Sequence, residues 1–547
     1  MSDADAPMRP RLPRLALLAG LVVLVAGAVA ARRVLPEWQP LGVRKADALR
    51  TATDEMAAAG ATLLAPTATV QNLLASNELE RAFRRLGREA PSWLARHGAL
   101  ATWTVQGQLR VPGVGTGPAE IAIARDGTFR RLHFTSGSLF RMDDPQALVQ
   151  ETRDRFAMAV LARLARGEAL GASSNFESGN TVIRVWPLQG GGDGPREVVT
   201  KLSPTPAMLM LARELGDPDV GARYEKNLFR YLAIAIPLFG VLGIGVLVLF
   251  GVLLFRRRLG FRIGAALALL ALAAMLLSGA LFDLGGQRGF TAGVLVGGRL
   301  LGVVVLIGYW AVAEALLRDS KTGFRTSLDA LAAGRLSPRL GRAILGGLGL
   351  GAGVAGLRLL FASGVAAAGI PGVVPQAPSF SFPLFGGLAN AFLEGPYAAA
   401  SLVLAAALLR NLLRPERADA LGAAAFALLS SLSFSYEPWG AHLVLMLAES
   451  AVLLLAFRSH GLTGLLVAAT APGLFRDLLA ALCFPGELVL PLLLAVAALA
   501  ALAWVGVAAA RRPEREDEAK ADAPEFVKRL EAERRVKYEM DLLSRMQ

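Results

Sequence analysis

Apolar residues fall in ten long runs, at about 14–31, 229–255, 263–283, 290–317, 343–363, 386–409, 419–437, 439–457, 461–481 and 488–510. Each approaches the ~20 residues that an α-helix needs to cross a bilayer. Charged residues cluster between the runs instead of alternating with them. This is the pattern of membrane spans and their loops, and it predicts about ten transmembrane helices. The interval 32–228 departs from it, with the mixed polar and apolar pattern of a water-soluble domain.

Within that interval, Asp47 to Leu64 and Val70 to Leu86 read as amphipathic helices. Thr102-Trp103-Thr104-Val105, Ala119 to Ile123 and Leu132-His133-Phe134 read as strands. Asp126-Gly127 between the last two signals a hairpin. A helix from about Pro145 to Arg166 leads to strands at Thr181–Trp186 and Arg196–Lys201, separated by a loop from Gln189 to Gly194. The expectation is a small α+β domain. Its order of helix, hairpin and helix resembles the propeptide-type domains that bacterial membrane proteins carry outside the cell. His97 and His133 are isolated from any metal-ligand spacing.

Charge placement orients the spans. With Arg9, Arg11 and Arg14 inside, residues 32–228 lie outside. Arg256-Arg257-Arg258, then Arg318, Lys321, Arg325, Arg335, Arg339 and Arg342, then Arg410, Arg414, Arg417 and Arg458, and finally Arg511-Arg512 all fall inside. The opposite loops are nearly free of basic residues: 284–289 holds only Arg288, and 364–385 and 482–487 hold none. The predicted organisation is a signal anchor over 1–31, an extracytoplasmic domain over 32–228, a nine-helix membrane domain over 229–510 and a cytoplasmic tail over 511–547. Both termini are expected in the cytoplasm of an inner-membrane protein. Ala28-Val29-Ala30 offers an alternative, cleavage as a signal peptide, but the apolar core from Leu15 to Ala31 is longer than the ~7–15 residues usual there.

The net charge of +13 does not change this reading. The basic excess sits at the ends of apolar runs, where it sets topology, so no nucleic-acid partner is expected. The single cysteine, Cys483, excludes an intramolecular disulfide and reads as a small buried hydrophobe.

Polar residues within spans are costly and mark candidate sites. Here they are Glu314, Arg358, Glu394, His442, Glu449 and Asp477. Glu314 lies one turn before Arg318, a spacing for an interfacial ion pair. The run from Gly346 to Gly353 has small-xxx-small spacing, which favours close helix packing.

Residues 310–480 resemble the CAAX-protease and bacteriocin-processing membrane proteins. The resemblance lies in span spacing and in the phrases Ala425-Phe426-Ala427-Leu428-Leu429-Ser430-Ser431 and Ala456-Phe457-Arg458-Ser459-His460-Gly461-Leu462-Thr463-Gly464. Active members carry paired glutamates with an arginine, a Phe-x-x-x-His, and a His with Asn or Asp four residues on. In this chain Glu394 is followed by Gly395, Phe434 by Pro438 four residues later, and Asp477 is preceded by Gly473 four residues earlier. The resemblance therefore implies a shared scaffold without the catalytic set.

Beyond a mixed-charge linker, Pro524 opens a helix in which Phe526, Val536, Met540 and Leu543 share a heptad seam. That seam would support a homodimer. The final phrase, Glu539-Met540-Asp541-Leu542-Leu543-Ser544-Arg545-Met546-Gln547, resembles the linker helix entering stage II sporulation E-type serine/threonine phosphatases. The resemblance implies a phosphatase domain beyond Gln547, with its divalent metal there and no cofactor in this chain. The expected function is a membrane sensor that passes an external or membrane signal through the tail to a phosphatase output or a cytoplasmic signalling partner. The alternatives are an intramembrane protease or its relic, and a transporter. A transporter predicts broken helices around a midplane cavity, ideally with a repeat, and no clear repeat is present.

Overall fold

The computed structural model describes residues 12–35, 42–71, 82–83, 85–97, 102–124, 126–135, 146–178, 181–189, 197–204, 207–214, 220–256, 259–277, 290–319, 336–370, 386–410, 413–432, 439–483, 489–512 and 536. The chain is mostly helical, with one antiparallel sheet domain. After helix α1 (Leu12–Val34) the sheet domain runs α2 (Lys45–Ala58), β1 (Thr62–Gln71), α3 (Ala90–His97), β2 (Thr102–Val111), β3 (Gly115–Ile123) and β4 (Phe129–Thr135). It continues with α4 (Gln146–Ala165), β5 (Ala169–Leu170), β6 (Ser174–Ser178), β7 (Thr181–Gln189), β8 (Glu197–Pro204) and β9 (Ala207–Glu214). Eight further helices follow: α5 (Val220–Phe255), α6 (Arg262–Leu277), α7 (Phe290–Asp319), α8 (Pro338–Ala367), α9 (Gly386–Arg410), α10 (Pro415–Leu432), α11 (Trp439–Cys483) and α12 (Val489–Ala510).

The sheet order is β1-β2-β3-β4-β9-β8-β7, with β5 and β6 both on the outer edge of β7. It reads alike from either end. A helix followed by an antiparallel meander occurs twice, and the last strands of the two halves, β4 and β9, pair at the centre. Helices α2 and α4 lie side by side on one face, tied by Arg163 Nε to Glu55 Oε2 at 2.6 Å. Under them Met56, Val105, Ile121, Leu132, Phe134, Leu161 and Leu211 are fully buried.

The reading of Asp47 to Leu64 as one helix is corrected. Helix α2 stops at Ala58, Gly60 turns the chain at φ +82°, and Thr62 to Gln71 form an edge strand. The apolar positions 61, 63 and 68 suit a strand as well as a helix, and Gly60 was the stop signal. Val70 and Gln71 therefore belong to β1, and 72–81 of the second predicted helix lie outside the described residues. The Asp126-Gly127 hairpin is present, with Gly127 at φ +81° and Asp126 Oδ1 accepting from Thr128 N at 3.0 Å. Gln189 closes β7, and the remainder of its predicted loop lies outside the described residues. Strand β9 was not expected: Ala-Met-Leu-Met-Leu-Ala favours a helix by propensity, and pairing with both β4 and β8 overrides it.

Among the described residues, five helical segments are long and apolar enough to cross a membrane: Leu15–Val34, Leu300–Leu317, Pro338–Ala367, Ala391–Arg410 and Gly440–Arg476. Val241–Phe255, Arg262–Leu276 and Ala495–Ala510 are shorter apolar helices. Helix α11 is broken at Gly461 (φ 68°, ψ −163°). Both of its arms lie on α8. In the first, Glu449 meets Arg358 and His460 covers Gly346; in the second, Gly464 lies at Gly347 and Ala471 at Gly351. The first arm therefore runs down α8 and the second runs back up it. The two apolar runs read as 439–457 and 461–481 are these two arms.

Helix α8 is the hub. Ser337 caps it, with Oγ accepting from Leu340 N at 3.2 Å, and Pro338 takes the first turn, where its missing N–H is harmless. Its glycines work in two sets. Gly346, Gly347 and Gly351 admit α11, whereas Gly349 and Gly356 admit α1. Gly20 meets Gly349 and Gly27 meets Gly356, so both helices advance by the same step and run parallel. A Cβ at any of these four positions would strike backbone on the facing helix. This is the close packing that small-residue spacing favours.

The C-terminal ends of α1 and α8 enter the core of the sheet domain. Ala31, Leu35, Leu359, Ala362 and Ala366 belong to the same buried cluster as Met56, Trp93 and Phe134. At the end of α8, Gly369 (φ +76°) lies against the backbone of Gly87 and Arg88. At the opposite end, Gly341 lies against Gly506 and Ala510 of α12. The tail leaves from that point.

Candidate functional site

Among the predicted polar residues, Arg358 and Glu449 form an ion pair across α8 and the first arm of α11. Arg358 Nε donates to Glu449 Oε2 at 3.0 Å, and its Nη2 donates to Oε1. This two-pronged contact suits a planar guanidinium against a carboxylate. The glutamate side chain is only 10% exposed. Glu394, on α9, is exposed and within electrostatic range of the same guanidinium. His442, one face of helix above Glu449, is buried, and its Nδ1 lies 3.2 Å from Ser431 O of α10. Arg358, Glu394, His442 and Glu449 thus form one electrostatic neighbourhood drawn from α8, α9 and α11.

The neighbourhood is not an acid–base constellation. Glu449 has both oxygens committed to Arg358, and Glu394 makes no hydrogen bond or ion pair among the described residues. Glu314 lies elsewhere, buried on α7. Asp477 is on the second arm of α11; its side chain, like that of Arg318, lies outside the described residues. No group of three or more His, Cys, Asp or Glu among the described residues is placed to hold a metal. Of the tail seam, Val536 is helical and exposed, while Phe526, Met540 and Leu543 lie outside the described residues.

Sequence reasoning missed a second cluster. Asp419, buried at the start of α10, accepts from Arg410 Nε at 2.8 Å and from Arg458 Nε at 3.3 Å. Arg458 Nη2 also donates to Glu416 O at 2.9 Å, and Arg410 lies over the Phe457 ring at 5.7 Å. One carboxylate thus joins the ends of α9, α10 and the first arm of α11. In the sequence the two arginines serve as topology markers; the signal for the cluster is an aspartate inside an arginine-rich turn. Also missed were Tyr309 and Tyr397, whose rings lie 5.8 Å apart between α7 and α9. Tyr397 donates to Gly302 O, and the Tyr309 and Ser401 hydroxyls are 3.1 Å apart.

In the sheet domain His133 lies on β4 opposite Glu120 and Met210, beside the Arg131–Glu120 ion pair at 2.8 Å. Burial lowers the pKa of His133 below the usual 6.5; Glu120 opposes the shift and Arg131 adds to it. A depressed histidine pKa means that the unfolded chain takes up a proton first. Stability from this site is complete above about pH 6.5 and is lost as pH falls towards the folded-state value. Protection factors of β4 and β9 peptides in the full chain, corrected for the slowing of intrinsic amide exchange with falling pH, should therefore drop on acidification below pH 6.5, and His133→Gln should flatten that dependence. An unchanged pH profile in the variant would refute the assignment.

No family model matches the chain, and no curated protein or solved structure matches it either.

Proposed function

We propose that the chain is a membrane-spanning signal transducer. Its sheet domain lies outside, and its tail passes a change of state to a cytoplasmic output, with a stage II sporulation E-type phosphatase as the expected class. The observation that carries this reading is the reach of α8. One helix shares the core of the sheet domain at one end and packs against the last turn of α12, where the tail begins, at the other. A shift or rotation of α8 relative to its neighbours would reach both ends at once, because glycine contacts leave no slack for independent motion.

The basic residues of the loops support ten spans, with both termini inside and the sheet domain outside. The reversal of α11 at Gly461 supports counting its arms as two spans. The seven-residue register of α1 on α8 supports α1 as a retained anchor that forms part of the bundle. The geometry gives less to an intramembrane protease, since Arg358 occupies the most buried carboxylate of the polar neighbourhood.

Tail pairing tests the reading. In a Cys483→Ser chain carrying Val536→Cys, reconstituted in liposomes, oxidation should form a tail–tail disulfide. Gly341→Leu, whose side chain would strike Gly506 and Ala510, should change its rate several-fold. Equal rates with and without the substitution would remove α8 from the signal path.

A further inference from the structure

The end of the bundle that carries Asp419 has more arginine than its own carboxylates use. Asp419 is shared by Arg410 and Arg458. Arg458 has Nε on Asp419 and Nη2 on Glu416 O, which leaves the Nη1 donors uncommitted on a side chain that is 41% exposed. The bond to Glu416 O holds that guanidinium against the first turn of α10, next to Arg414 and Arg417. Both are exposed and make no side-chain hydrogen bond or ion pair among the described residues. Four arginines, two of them bound to Asp419, therefore lie at or beside this turn with only two carboxylates, Glu416 and Asp419.

The surface next to this turn is apolar. Leu413 is 37%, Leu421 52% and Leu455 54% exposed. Leu421 is one helical turn beyond Arg417, and Leu455 is one turn before Arg458, so cationic heads border a greasy wall. A free phosphate or nucleotide would use the cations and leave the leucines unexplained. A molecule with an anionic head and hydrocarbon tails uses both.

We propose that Arg414, Arg417 and Arg458 bind the headgroup phosphate of an anionic phospholipid, whose acyl chains lie along Leu421 and Leu455. Asp419 is the positioning residue, holding Arg458 at the turn. The inference rests on the membrane-spanning reading, with this end at the inner surface, where basic residues meet anionic lipid.

The test uses full-length protein in detergent micelles, titrated with phosphatidylglycerol, phosphatidylcholine or inorganic phosphate, with bound lipid counted by native mass spectrometry. Phosphatidylglycerol should bind in preference to phosphatidylcholine, and inorganic phosphate should not displace it. Arg414→Gln with Arg417→Gln should weaken that binding about twenty-five-fold, at roughly five-fold per arginine. The matching double lysine variant should retain most of it. Equal binding of the two lipids, unchanged binding in the glutamine variant, or full competition by phosphate overturns the proposal. If the glutamine variant fails to fold, the wild-type lipid preference and phosphate competition decide. Carbonate extraction of cell membranes distinguishes the two failures: a chain released by carbonate fails the membrane reading itself, whereas a retained chain without lipid preference fails only this site.

Discussion

Glu449→Leu is expected to destabilise the helical bundle by about 1.5–3 kcal/mol, the usual worth of hydrogen bonds to a charged group and below the cost of breaking a fully buried pair, because the Arg358 side chain is 39% exposed. Arg358 would keep its charge among apolar helices after losing both hydrogen bonds to Glu449. Glu394 is the remaining carboxylate within range of the guanidinium, but it is exposed and makes no direct bond to it. Arg358→Leu should cost less, because the orphaned glutamate can take a proton and become neutral. The double replacement by leucine should recover most of the loss, since a well-packed apolar pair is often as stable as a buried ion pair. Denaturant unfolding of the purified chain in mixed micelles reads all four corners of this cycle. A coupling below about 0.5 kcal/mol would show that the pair is not a structural tie.

The second large effect is expected at Gly349. A leucine there must displace the α1 backbone at Ala16 and Leu17, and backbone has no rotamer with which to yield. Overpacking commonly costs about 1–3 kcal/mol, and contact with backbone places this position at or above the upper end. Gly364→Leu is the control on the same helix: its Cβ meets nothing within 4 Å, and the gain in helix propensity should hold the change within about 1 kcal/mol. Thermal unfolding followed by circular dichroism distinguishes the two. Equal midpoints would contradict the glycine-mediated pairing of α1 and α8.

The helical region was legible because its signal is long and redundant. Nearly every apolar run matches a helix to within a few residues, and the small-residue run from Gly346 to Gly353 marked the closest packing in the bundle. The sheet domain was legible only where local chemistry spoke. Asp126-Gly127 and the alternation around it gave a hairpin, whereas β1 and β9 depend on partners distant in sequence. The duplicated helix-and-meander plan left no trace in the order of residues, because pairing β4 with β9 needs only a compatible apolar alternation on each strand. The polar site was half legible. An unusual residue type in a span identified Arg358 and Glu449 as candidates, but nothing in their spacing told that they face each other from separate helices. Asp419 escaped notice because its arginine neighbours already had an explanation in topology.

Helix α8 as the link between the sheet domain and the root of the tail is the central claim, and Gly369 is where to test it. Its positive φ and its contact with the Gly87–Arg88 backbone make Gly369→Val a wedge at the sheet-domain end of α8, far from α12. Hydrogen exchange of the reconstituted full-length chain, wild type against Gly369→Val, is the measurement. The account predicts altered protection both near residues 85–97 and in peptides covering 500–512, at opposite ends of α8. A change confined to the sheet domain, with 500–512 unaltered, would contradict it.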